Sequence, residues 1–261
     1  MSPSNSKSKP SAMRGVISSR GADVSLARAL SKQGVASRTV AATWIEAGRV
    51  TVNDEVVCNP EQRIAMNADR IAIDGIPLTA TQKRYIVLNK PRGLVTTARD
   101  EQGRGTVYDC LPDTQNQWLA PVGRLDKASE GVLLFTNDTQ WAQRILDPAT
   151  HVAKVYHVQV DGLPDEAVLN GLRDGVVLCE DVVTRRAGVT RLREGAKNCW
   201  LEITLEEGRN RQIRRMMESV GLKVLRLVRI AIGPVRLGDL PKGQARELTP
   251  QEVRALAGGS G

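Results

Sequence analysis

The sequence predicts an α+β protein: a small αβ unit followed by a larger, strand-rich unit with few helices. Three observations carry this. Between residues 23 and 80, two short helical patterns precede two hairpin signals. From residue 84 onward apolar residues recur mostly with period two, as where Leu201, Ile203 and Leu205 alternate with Glu202, Thr204 and Glu206. One late segment breaks that rhythm, because Ile213, Met216, Met217 and Val220 follow the helical i, i+3, i+4, i+7 rule. These patterns divide the chain into a tail (residues 1–22), a first unit (23–80) and a second unit (84–257).

Composition narrows the function. With 261 residues and 41% hydrophobic content there is material for a core, and no apolar run reaches the roughly 20 residues of a membrane span. The 37 Lys+Arg against 29 Asp+Glu leave a net charge of +8 and a pI near 9.6, which favours a polyanionic partner. Four Trp, three Tyr and one Phe are too few for rows of stacked bases, so any stacking falls to one or two placed rings. Cys58, Cys110, Cys179 and Cys199 are scattered without a Cys-x-x-Cys pair, the pattern of reduced cytoplasmic cysteines. His151 and His157 are the only histidines, which disfavours a zinc site or a His-based triad, and no Walker or dinucleotide glycine fingerprint is present. Chemistry here is expected to need no cofactor and no metal.

Residues 1–22 are rich in Ser, Lys and Pro and lack acids, the composition of a disordered basic tail; an organellar transit peptide is the alternative. Ser25 is placed to cap a helix from Leu26 to about Gln33, and Gly34 ends it. Ser37 is placed to cap a second helix to about Ala47, closed by Gly48. Leu26, Ala29 and Leu30 would face Val40, Ala41, Trp44 and Ile45. Strands at Val50–Val52 and from Glu55 to about Cys58 flank an Asn53-Asp54 turn, and Ile71, Ile73 and Ile76 frame a second turn at Asp74-Gly75. Arg28, Lys32, Arg38 and Arg49 remain outside, as either a solvated face or a phosphate-contacting one. A polar linker, Thr79 to Arg84, follows.

The second unit opens with a buried strand, Tyr85 to Asn89, and a fixed turn, Lys90-Pro91-Arg92-Gly93, whose two cations can flank a cleft. Val132 to Phe135 reads as a short buried strand. Asp126 stands in the polar loop before it, beside Arg124 and Lys127, either as an ordinary loop carboxylate or as one kept ionised and aimed into a cleft. Asp138 caps a helix to about Leu146 that Pro148 stops. In the next strand Lys154, Tyr156, Val158 and Val160 share a face, so Tyr156 fits both a core tyrosine and a ring poised over a base. Pro164 begins a helix to about Arg173, with strands after it to about Thr190. On the helix through Ile213, Arg214 falls at the edge of the apolar stripe, where its stem can lie along the core and its head can meet an acid. Between residues 209 and 229 seven cations, including Arg209 and Arg211, are countered only by Glu218. A strand over Val224 to Ile232, edge strands at Val235–Leu237 and Arg246–Leu248, and a Thr249–Glu252 capping box complete the chain.

The first unit resembles the S-four-type RNA-binding domain, on Leu26, Leu30, Gly34, Ser37-Arg38, Ile45, Gly48-Arg49-Val50 and Val52-Asn53. It departs from that pattern at Thr39, where many relatives carry a second arginine. In the second unit three separated segments resemble the active-site motifs of pseudouridine synthases of the RsuA/RluB type: Gly123-Arg124-Leu125-Asp126, Lys154-Val155-Tyr156, and Glu207 through Met216. Lys90-Pro91-Arg92-Gly93 and the stretch from Gly233 to Leu248 fit the same branch.

The resemblance implies a mixed, mostly antiparallel central sheet with flanking helices and an open RNA-binding cleft. It implies conversion of a uridine in ribosomal RNA to pseudouridine, with the target flipped out of its stack. Asp126 would be the essential carboxylate, Arg214 its ion-pair partner and Tyr156 the ring against the uracil, with Ile213 either below the base or plain core. Arg28, Lys32, Arg38, Arg49, Lys90, Arg92, Arg124, Arg209 and Arg211 are the expected RNA contacts. A cytoplasmic monomer is expected. A non-catalytic ribosome-assembly factor and a transfer-RNA enzyme are the alternatives, and Asp126, Tyr156 and Arg214 are the residues that separate the first of these from an enzyme.

Overall fold

A computed structural model describes residues 24–66, 68–79, 82–98, 100–112, 117–178 and 182–258; the tail expected over residues 1–22 lies outside these. The first unit runs β1 (Val24–Ser25), α1 (Leu26–Lys32), α2 (Arg38–Glu46), β2 (Val50–Val52), β3 (Glu55–Val56), β4 (Arg63–Ile64), β5 (Ile71–Ile73) and β6 (Ile76–Pro77). Its four-stranded sheet has the order β3-β2-β5-β6. Asn53 and Asp54 both take positive φ, as the tight turn between β2 and β3 requires, and Asp74 and Gly75 do the same between β5 and β6. Leu26, Ala29, Leu30, Ala41, Ile45, Val50 and Ile71 form a core of their own.

Two local expectations are corrected here. Ser37 does cap α2, its hydroxyl accepting from the Val40 N–H at 3.2 Å, but the Ser25 side chain makes no cap bond. Ser25 is instead buried in β1, paired with Arg63, and the first amides of α1 donate to the Gln62 and Pro60 carbonyls. A neighbouring backbone thus does the work of a capping side chain. Val40 points to solvent rather than toward α1, leaving Ala41 and Ile45 to make the contact.

The second unit contains β7 (Tyr85–Lys90), β8 (Ala120–Val122), β9 (Glu130–Thr136), α3 (Thr139–Leu146), β10 (Lys154–Asp161), α4 (Glu166–Asp174), β11 (Val177–Leu178), β12 (Val182–Val183), β13 (Gly188–Glu194) and β14 (Asn198–Leu205). It ends with α5 (Gln212–Ser219), β15 (Lys223–Ile232), β16 (Val235–Arg236), β17 (Ala245–Glu247) and α6 (Pro250–Leu256). Pro164 does not begin α4; Asp165 caps it, accepting from the Val168 N–H at 2.9 Å, because a side-chain oxygen satisfies an amide that proline cannot. The Thr249–Glu252 capping box is formed at the start of α6.

The main sheet has the order β13-β14-β10-β15-β9-β7-β17, with β16 on β15 and β8 on β9. All these pairings are antiparallel except β15 with β9. The mixed, mostly antiparallel sheet implied by the resemblance is therefore present. On one side of this parallel seam, alternate residues of β10 and β14 pack beneath α4 and α5 through Leu169, Leu172, Ile213, Met216 and Met217. Burial of the three α5 side chains contributes about 1.5–3 kcal/mol each. On the other side, β7 and β9 are buried on both faces, against α3 and α6 on one and the Val107–Leu125 region on the other. Among the described residues no helix is long and apolar enough to cross a membrane.

The seam is short. It joins Val228 to Glu130 and Arg229 to Gly131, and Gly131 sits at φ +101°. A Cβ there would overlap the Arg229 carbonyl oxygen, so only glycine lets the two half-sheets approach. Gly131→Ala is expected to destabilise the protein by more than about 2 kcal/mol. Urea denaturation checks this, and an unchanged midpoint would mean that the seam tolerates a side chain.

Candidate active site

Asp126 lies in the loop that enters β9 at this seam, and four polar contacts hold the loop. Thr96 Oγ1 donates to the Leu125 carbonyl at 2.8 Å, and the Gly93 N–H donates to the Lys127 carbonyl at 2.8 Å. The Ser129 N–H donates to the Asp126 carbonyl at 2.9 Å. The fourth is Lys90, whose ammonium donates to the carbonyls of Pro91 (3.1 Å), Asp126 (3.3 Å) and Ser129 (2.9 Å). The expectation that Lys90 meets RNA is thus overturned. It is the last residue of β7 and fully buried, with two donors spent on the Asp126 loop and one on the Pro91 carbonyl beside it. Burial pushes its pKa down to about 8, against the opposing pull of Glu130 and Asp126.

The Asp126 carboxylate is partly exposed and faces two guanidiniums, Arg211 Nη1 at 3.7 Å and Arg214 Nε at 3.9 Å from Oδ2. Both come from the start of α5, more than eighty residues away in sequence. The two distances are those of ion pairs without a formed hydrogen bond. Arg214 is mostly buried and its Nε has no hydrogen-bond partner, while its Nη2 reaches the Ala128 carbonyl and Ser129 Oγ at 3.5 Å. Burial, then Arg211, lowers the Arg214 pKa, and Asp126 opposes that. Arg211 was expected on RNA; it stands in the left-handed region at φ +49° as the residue before α5, with its side chain half exposed beside the acid. A non-glycine residue held there is uncommon and marks a turn fixed by its surroundings. Glu207 supplies part of that fixing, since its buried carboxylate accepts from Gln212 Nε2 (2.6 Å), Arg209 Nε (3.0 Å) and the Arg185 N–H (3.0 Å). These donors outweigh burial and hold its pKa below the ordinary range.

Tyr156, on β10, completes the cluster. A cavity of about 80 Å³ is lined by Asp126, Tyr156, Arg211, Ile213, Arg214 and Leu227, among others, so Ile213 is both core and wall. Hollows continue it on both sides. One of about 550 Å³ runs past Thr96, Arg104 and Lys127, and one of about 360 Å³ runs past Lys154, Arg185 and Arg229; Arg124 borders all three. The result is a groove with the acid near its middle.

The remaining predicted residues divide. Arg209 lines the groove and is paired with Glu207, and Arg92 is exposed and close enough to Arg214 to depress its pKa. Arg28, Lys32, Arg38 and Arg49 stay on the first unit and line none of these hollows; Arg49 is engaged by Asp74 at 3.0 Å and lies over Trp44. Sequence reasoning placed Lys154, Glu207 and Gln212 inside the motifs and Arg229 in the basic run, but gave none of them a role of its own. A signal existed in that Lys154 shares its strand face with Tyr156. Among the described residues no group of three or more His, Cys, Asp or Glu side chains is gathered as a metal site.

A carboxylate set at a sheet seam, facing two arginines and a tyrosine across a basic groove, fits an enzyme that acts on RNA. Residues 84–219 match the family model described as RNA pseudouridylate synthase and residues 24–79 match that of the S4 domain, and the chain belongs to the RNA pseudouridylate synthase family. It is 40% identical over 235 residues, 90% of this chain and 94% of the relative, to an uncharacterized RNA pseudouridine synthase of Aquifex aeolicus. It is 35% identical to the ribosomal large subunit pseudouridine synthase B of Bacillus subtilis, covering 88% of this chain and 94% of that one. A crystal structure of a pseudouridylate synthase superposes with a TM-score of 0.64 at 30% identity, over 89% of this chain and 99% of that one.

Two outcomes test the Lys90 anchor. Lys90→Met strands three loop carbonyls and is expected to cost about 2–4 kcal/mol of stability. The lysine's pKa falls from 10.5 when free to about 8 in the fold, so between those values the unfolded chain binds more protons. Stability through this group therefore rises with pH across that window. The stability difference between wild type and Lys90→Met, from denaturation at pH 7.5 to 10.5 (about the window those values set), should widen; a narrowing gap would refute the buried, destabilised ammonium.

Proposed function

We propose that the protein isomerises a specific uridine of ribosomal RNA to pseudouridine, with Asp126 as the essential carboxylate. The observation that carries this is the Asp126 side chain, open to the groove and faced by Arg211 at 3.7 Å and Arg214 at 3.9 Å. The reaction breaks the bond from the sugar to a ring nitrogen, turns the uracil while it is held, and bonds the sugar to ring carbon 5. The ring nitrogen ends with the proton that carbon 5 gives up, so no redox partner is needed. Asp126 acts on the sugar in its ionised form, whether by adding to the anomeric carbon or by taking a proton from the carbon beside it.

Arg214, at ion-pair distance, orients Asp126. Tyr156 takes the face of the flipped uracil, with Ile213 and Leu227 as apolar walls. Flipping costs a few kcal/mol of lost stacking, which backbone contacts from Arg92, Arg124, Arg209 and Arg211 offset. Arg28 and Arg38, exposed on the two helices of the first unit, add phosphate contacts at a distance from the chemistry. The ribosomal substrate is supported by the name of the Bacillus subtilis relative and by the S4 domain ahead of the catalytic unit. A ribosomal RNA substrate supports a cytoplasmic location.

Asp126→Asn is expected to abolish pseudouridine formation while RNA affinity stays within a few-fold (roughly 1 kcal/mol). Carbodiimide-based primer extension reads the product, and a normal stop pattern from the variant would end the assignment. Replacing Arg28 and Arg38 together by Ala should weaken binding uniformly across sequences and reduce the salt slope by about 1–2. An unchanged slope would mean that this helical face does not touch RNA.

A further inference from the structure

We propose that the 360 Å³ hollow beyond Tyr156 is a built subsite for one phosphodiester group of the RNA strand beside the target uridine, with Lys154 and Arg229 as its floor. It rests on the reading above and adds to it the place where the flanking backbone is gripped.

The floor residues are set by the sheet. Arg229 is the cross-strand partner of Tyr156, and Lys154 lies two residues from Tyr156 on the same face. Both are more than nine-tenths buried, Lys154 at 8% and Arg229 at 6% exposure. Buried cations are ordinarily matched by carboxylates, and these are not. Arg229 Nε donates to the Val132 carbonyl at 2.7 Å, but its Nη2 is buried with no hydrogen-bond partner. The two acids of the hollow are otherwise occupied: Glu207 by Gln212, Arg209 and the Arg185 amide, and Glu206 by His151 at 2.7 Å. Burial and the nearby Arg229 both depress the Lys154 pKa, with Glu206 opposing. Arg185 and Arg209 stand at the rim.

An anion entering the hollow would meet a pre-placed donor on Arg229 and an ammonium on Lys154, both desolvated before it arrives. The position next to Tyr156 makes that anion a phosphate covalently continuous with the stacked nucleotide. Such a grip would hold the strand on one side of the flipped base while Asp126 works on the other, so that the base can turn without the backbone following.

The test combines protein and RNA changes in one cycle. Ribosomal RNA fragments carrying the mapped target uridine are made with a single uncharged methylphosphonate at each flanking phosphate in turn. Affinity for wild type and for Lys154→Met is measured at fixed salt. For one flanking position, wild type should lose about 10- to 100-fold in affinity, the range of a charge-assisted hydrogen bond. Lys154→Met should lose a similar factor on unmodified RNA and nothing further on that methylphosphonate RNA. Losses that multiply, or methylphosphonates that cost nothing at either position, would overturn the subsite. So would inorganic phosphate that displaces RNA equally well whether or not the flanking phosphate is charged, since the hollow would then take a free anion. If Lys154→Met does not fold, the methylphosphonate series on wild type decides alone. Normal binding without pseudouridine would instead fault the catalytic reading, and the binding cycle would still stand on its own.

Discussion

A buried ammonium under a loop is the contact on which the rest depends. Lys90 ends β7 and reaches across to the carbonyls of Asp126 and Ser129, so the strand that pairs with β9 also fixes the acid's backbone. The three carbonyl acceptors, with Glu130 and Asp126 close by, offset only part of the cost of desolvating that charge, and the pKa stays depressed. A loop held this way has little freedom left to spend when substrate arrives, which is the condition for a preorganised site. Gly131 adds the second half of the constraint. By admitting the Arg229 backbone it closes the parallel seam immediately after the loop.

The seam explains why the groove lies where it does. Antiparallel strands on both sides can each carry a helical layer, but a two-residue parallel junction between them leaves a trough. The α5 helix lies over one half-sheet and delivers Arg211 and Arg214 into that trough from its first turn and the residue before it. The Asp126 loop enters from the other half. The two meet as charges at ion-pair distance, which orients the carboxylate without sealing it from solvent.

Distribution of the other acids is as telling as the position of Asp126. Glu130 is clamped by Arg226 and Lys242, Glu207 by Arg209 and Gln212, and Glu206 by His151. Of the acids that line the groove, Asp126 is the one held only at ion-pair distance, which leaves its carboxylate open to the groove. The net charge of +8 gives only the sign of the partner; the pairing of each acid decides which cations remain to bind it.

Periodicity made much of this readable from the chain itself. Alternation in β10 and β14 and the three-four spacing of α5 record which face of each element is apolar, because that information is local to the element. Pattern alone left Asp126 and Tyr156 with two readings each and put Arg214 at a core edge; the resemblance of three motifs to pseudouridine synthases is what joined them as site residues. Lys90 read equally well as a surface cation, and Arg229 as one more basic residue in a basic run. Their contacts come from groups 36 and 97 residues away. Sequence spacing carries no trace of such distances, since a side chain's partner across a sheet is chosen by strand order, and strand order is settled only when the whole sheet closes.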